Sequence, residues 1–205
     1  MRKAPASQVL WSPNEGGGYP FVGGGPHSAV PGSIDHTVLD TDGDGALTGA
    51  DDPFAPYFPG AQHVDWVGPT VYHFGSVYPW GENEVPEDGK LVAKLRGSYV
   101  GLAGDQTAAP DFVQVYAEAT GLPLAVAETS ALFSTDQDGV GATDPAIKTA
   151  WVEQVLDPDL GVALPGLRLV MWFDQDKLET ETGVRTLWSH SRDQTLTALV
   201  RQRVD

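Results

Sequence analysis

The chain has 205 residues, enough for a domain with a sizeable core, and no apolar run approaches the length of a membrane span. Its formal charge of −16, with 12 scattered Lys and Arg against 28 Asp and Glu, excludes a nucleic-acid backbone as partner, because phosphate binding calls for clustered cations. With no cysteine there is no disulfide, thiolate metal site or thiol nucleophile. The basic start, Met1-Arg2-Lys3, lacks the apolar stretch of a signal peptide. It runs within a few residues into a strand pattern, as a fragment would.

In chain order, Gln8 to Trp11 reads as a short strand closed by the turn-rich Ser12-Pro13-Asn14-Glu15. A loop spans about residues 16–62, and a loop of that length signals function or an ion. Val64 to Tyr72 is the second strand, with Pro69 inside it and His73 just past its end. An aromatic and acidic loop, Tyr78 to Pro86, follows. Lys90 to Val100 can form a helix. Asp111 can cap a firmer one, in which Phe112, Val115, Tyr116 and Ala119 recur at helical spacing. Leu122 to Ala127 is an apolar run ending at Glu128, and it reads as a buried parallel strand. Thr143, with Pro145 behind it, caps a helix carrying Ile147, Trp151, Val155 and Leu156. Gly166 to Phe173 is the fourth strand, and Asp193 to Val204 the last helix.

Alternating strands and helices imply an α/β fold with a parallel sheet. Four strands are too few for a closed eight-stranded barrel of about 250 residues. The residues alone leave two architectures, half a barrel or a small open α/β sheet. Glu128 also has two readings. Barrel enzymes keep catalytic carboxylates at the C-terminal ends of such strands, but a carboxylate there can simply leave the strand and cap the next loop.

Asp40 to Asp51 fits the twelve-residue calcium loop. Asp40, Asp42 and Asp44 stand at positions one, three and five, and Gly45 at the sharp turn. Ala46 offers its carbonyl, Thr48 takes position nine, and Asp51 closes the loop where Glu is usual. Calcium wants roughly six to eight oxygens, and this spacing wraps carboxylates around one point. The expectation is a structural calcium ion pinning the long loop, without an exit helix because of Pro53 and Pro56.

Four segments together resemble glycoside hydrolase family 26, the β-mannanase group. They are Val9-Leu10-Trp11-Ser12-Pro13-Asn14; Tyr57 to Gly60 with Val64 to Gly68 and Tyr72; Leu124 to Thr129; and Leu169 to Phe173. The resemblance implies the C-terminal half of a (β/α)8 barrel, strands five to eight. It implies a retaining endo-β-glycanase that cleaves polysaccharide and comes from a secreted parent. Glu128 would be the nucleophile, Tyr72 the residue that orients it, and Trp172 a sugar-facing aromatic or a core residue.

Glu15, in an Asn-Glu pair, is an alternative acid/base, but only one strand separates it from Glu128 where two are needed. The acid/base would then lie on strand four, upstream of Met1, and the chain would be impaired alone. Trp80, an aromatic in a loop, is expected to meet sugar, and His73 to bond its hydroxyls. Glu82, Glu84, Glu179 and Glu181 sit on loops that can rim a cleft. Unpaired strand edges are expected to drive self-association. A calcium-stabilised carbohydrate-binding protein without chemistry is the alternative function.

Overall fold

The computed structural model describes residues 7–14, 29–48, 50–75, 82–100, 110–137, 139–180 and 183–204. A parallel sheet forms its centre. Strand β1 (Leu10–Trp11) pairs with β2 (Trp66–Val67), and β4 (Leu124–Ala131) pairs with β2, with β3 (Thr70–His73) and with β6 (Leu167–Trp172). β2 and β3 are two pieces of one bent strand, broken at Gly68-Pro69. The ladder continues across the break, because Pro69 O accepts Ala127 N–H at 3.0 Å and Gly68 N–H donates to Trp11 O at 3.0 Å. Glycine is required at 68, since a Cβ there would stand 2.4 Å from Ala125 O. Each strand therefore neighbours the next strand segment in the chain, and all of these pairs are parallel.

Helix α1 (Ile34–Leu39) and 3-10 turns at Ala55–Tyr57 and Ala61–His63 occupy the stretch that the sequence reads as irregular. Ser33 starts α1 by accepting His36 N–H at 3.1 Å. Helix α2 (Lys90–Leu95) stops short of the expected Val100. Gly97, at φ +63°, turns the chain, and Ser98 N–H closes on Ala93 O. The Asp111 cap forms on Gln114 N–H, but the segment it opens, Val113–Glu118, is wound as a π-helix. Helix α3 (Asp144–Val155) follows its Thr143 cap, and α4 (Leu160–Ala163) is a single turn.

A second, antiparallel sheet was not expected. β5 (Phe133–Ser134) pairs with β8 (Arg185–Leu187), which pairs with β7 (Lys177–Leu178). Its strands are too short to show a hydrophobic alternation. Helix α5 (Gln194–Val204) closes the described chain, capped by Asp193 on Thr195 and Leu196 N–H.

One hydrophobic cluster joins the sheet to the helices. Val67, Val71, Leu124 and Val126 meet Leu91, Leu95, Val113, Tyr116, Ile147, Trp151 and Val155. None of the described helices is long and apolar enough to cross a membrane.

Candidate functional site

Glu128 lies inside β4, three residues before its end, and its neighbours along the strand are buried. Side chains alternate between faces, so the face Glu128 occupies depends on strand phase. Leu124 and Val126 belong to the hydrophobic cluster, and an even step from Val126 would carry Glu128 into it. A bulge prevents this. β4 advances three residues from Val126 to Thr129 while β6 advances two, from Val170 to Trp172. The extra residue reverses the phase. Beyond it, Ala131 returns to the cluster, and Thr129 accepts Trp151 Nε1–H at 2.8 Å while donating to Val71 O at 2.6 Å. Glu128 is left on the opposite face, in register with Thr70 of β3.

There it meets Tyr72. The phenol Oη donates to Glu128 Oε1 at 2.5 Å. Burial, then the hydrogen bond and charge of Glu128, then the charge of Glu179 push the Tyr72 pKa well above its ordinary value. The phenol therefore stays protonated and stays a donor. Its ring stacks on Phe74 (5.5 Å between centroids) and takes Trp188 edge-on at 5.2 Å and 73°. Asn14, just beyond β1, bridges to Thr70 and accepts its hydroxyl at 3.2 Å.

Trp188 was missed in the sequence, where it follows Leu187 with no motif around it. It is 4 % exposed and held from several sides. Its carbonyl accepts Ser130 Oγ–H at 2.7 Å and Trp172 Nε1–H at 3.0 Å. Its indole N–H donates to Glu179 Oε1 at 2.7 Å, and its backbone N–H to Asp176 Oδ1 at 2.8 Å. Trp172, partly buried, packs against the core cluster. His190 stands beside it, 5.2 Å between ring centroids. Asp174 anchors that loop by accepting from Ser189 Oγ and from the His190 and Ser191 backbone N–H groups. Burial raises the Asp174 pKa, but the hydrogen bonds of Ser191 and Ser189 outweigh it and hold the carboxyl at about 2.

His73 is a correction. It follows Tyr72 on the strand, so its side chain takes the other face, 1 % exposed and 6.0 Å from the Trp151 ring. Its Nε2–H donates to Glu84 O at 2.8 Å. Burial first, and then the Lys90 charge, push its pKa down to about 4, so it is neutral. A contact with substrate hydroxyls is not open to it. Glu15, Trp80 and Glu181 lie outside the described residues.

The calcium-type loop follows α1 directly. Carboxylate oxygens of Asp40, Asp42 and Asp44 lie within 4.8 Å of one another. Asp40 Oδ2 accepts Gly45 N–H at 2.9 Å, while its buried Oδ1 has no hydrogen-bond partner among the described residues. Asp51 stands apart from this cluster, which corrects its expected place as the closing ligand. It is fully buried, with Oδ1 accepting Thr41 N–H at 2.7 Å and Oδ2 accepting Thr48 N–H at 2.8 Å. Its side chain, shorter than the usual Glu, is spent on the loop's own backbone. Burial raises its pKa, and the backbone bonds from Thr48, Thr41 and Asp42 more than reverse that. Asp52 ties the loop to the core by accepting Tyr116 Oη–H at 2.6 Å.

In comparisons with known proteins, no family model and no curated sequence matches the chain.

Proposed function

We propose that the chain is the nucleophile-bearing half of a retaining β-glycanase barrel, of the β-mannanase type, acting on polysaccharide or oligosaccharide. The observation that carries this reading is the 2.5 Å bond from Tyr72 to Glu128, on a carboxylate turned off the core by a bulge. Such a donor fixes the carboxylate's rotamer and leaves its second oxygen to attack the anomeric carbon. The sheet order gives support. Strands neighbouring in chain order without reversal are what a barrel segment requires, whereas a doubly wound sheet reverses at a switch point. The proposed half holds strands five to eight, and its acid/base partner belongs to strand four.

That division predicts a specific behaviour. With dinitrophenyl β-mannoside, Glu128 attacks C1 and the phenolate departs with its electron pair, needing no proton from an acid. Water then displaces Glu128 from C1 slowly, because the base that would activate it is on strand four. The expected result is a burst of phenolate, slow turnover, and acceleration by azide, which needs no base. Glu128→Gln should abolish the burst. Glycan binding without any burst would instead favour a carbohydrate-binding module.

We also propose that Asp40, Asp42 and Asp44 hold a structural Ca2+, with Ala46 O and Thr48 completing the shell. The three converging carboxylates support it. Calcium in excess should raise the melting temperature, by about 2.7 kcal/mol of added stability at a hundredfold over Kd. Asp42→Asn together with Asp44→Asn should remove the effect.

Open strands support self-association. β6 pairs only with β4 among the described strands, and its Leu169 and Met171 are each 39 % exposed.

A further inference from the structure

We propose that Glu179, acting through the Trp188 indole, positions Tyr72 against Glu128. This rests on the glycosidase reading for its consequence, but the geometry stands by itself. Glu179 follows β7 in the second sheet, and Trp188 follows β8, to which β7 is paired. The Glu179 carboxylate is fixed at both oxygens: Oε1 by Trp188 Nε1–H at 2.7 Å, Oε2 by Lys177 Nζ at 3.2 Å. Its side chain is only 18 % exposed.

An indole ring turns about two side-chain torsions, and its N–H sets which edge it presents. With the N–H tied to Glu179 and the backbone tied to Asp176, Ser130 and Trp172, the ring has one orientation. That orientation puts it edge-on to Tyr72, at 5.2 Å, and to Phe74, at 6.0 Å. Tyr72 is thus held between two aromatic rings, with its hydroxyl aimed at one carboxylate. The antiparallel sheet therefore reaches the site through Glu179 and Trp188. It carries the support for the residue that orients the nucleophile. Glu179 is a positioning residue, since its carboxylate bonds to Trp188 and Lys177 and acts on Glu128 only through Tyr72.

The test reads the Tyr72 hydroxyl proton by NMR. A bond this short places it far downfield, and Tyr72→Phe identifies it by removing it. Glu179→Ala is expected to move the resonance upfield. Glu179→Gln, whose amide oxygen still accepts the indole N–H, should restore it. Trp188→Phe keeps a ring but loses the N–H, and should match Glu179→Ala. A second readout is covalent labelling of Glu128 by a fluorinated mannosyl fluoride. It should slow on the order of tenfold in Glu179→Ala, in the inactivation rate constant and not in the binding constant.

A resonance unmoved in Glu179→Ala, or one that Glu179→Gln leaves displaced, would overturn the proposal. So would absence of the resonance from the unaltered chain. If Glu179→Ala does not fold, the Gln and Phe variants decide the matter. Failure of the unaltered chain to be labelled would sink the glycosidase reading alone, because the resonance still reports the positioning.

Discussion

The two faces of β4 are built to different standards. On the helix side, Leu124, Val126, Thr129 and Ala131 are fully buried, and the one polar side chain among them has both a donor and an acceptor in place. On the other side Glu128 is only half-buried, and the neighbouring strand leaves Leu169 and Met171 partly exposed. The first face is a finished core. The second carries the Glu128 carboxylate bonded to the Tyr72 phenol, with the Trp188 indole beside it, and leaves apolar area in solvent. A single extra residue in the bulge separates the two.

The comparison can be broken by substitutions on each face. Trp151→Ala empties the best-filled position of the core face and removes the donor to Thr129. It should cost about 4 kcal/mol, read from the denaturant midpoint. A loss of about 1 kcal/mol would mean that this face is not the tightly packed one.

Acid should act on the same face through His73. Its folded-state pKa of about 4 lies below the ordinary 6.5, so the unfolded chain takes up the proton first. Stability is fully present above pH 6.5 and is lost as pH falls toward 4, by about 3 kcal/mol. Melting from pH 7 to 4 should show the decline, and His73→Gln should flatten it.

On the other face, Tyr72→Phe should leave the fold intact yet slow covalent labelling of Glu128. Losing one hydrogen bond to a charged group corresponds to about 2 kcal/mol, on the order of thirtyfold. Met171→Ala should cost least, about 1 kcal/mol or less, because much of that side chain is already in water. Equal losses in Met171→Ala and Trp151→Ala would erase the distinction between the faces.

Much of the sheet and its helices was legible in the sequence. The apolar runs at Leu124 and Leu167 gave parallel strands, and Asp111 and Thr143 cap as their residue types suggest. Tyr72 and Glu128 could be paired in advance only through a resemblance. What brings them together in space is register, and the sequence of β4 carries no mark of its bulge. His73 lies off the Tyr72 face because adjacent residues on a strand point to opposite sides of the sheet. Trp188 and Glu179 were not joined because two- and three-residue strands are too short for any periodicity to show. Asp51 fits the calcium pattern by position, but a pattern does not say whether its carboxylate turns to an ion or to backbone N–H groups.

The central claim is that Glu128 is the nucleophile, and mechanism-based trapping tests it most directly. With a fluorinated mannosyl fluoride, a Glu128 oxygen bonds to C1, the C1–F bond breaks and fluoride leaves, all without an acid. Peptide mapping of the labelled chain should find the sugar on Glu128, and none in Glu128→Gln. Label on any other residue, or label that survives Glu128→Gln, would contradict the account.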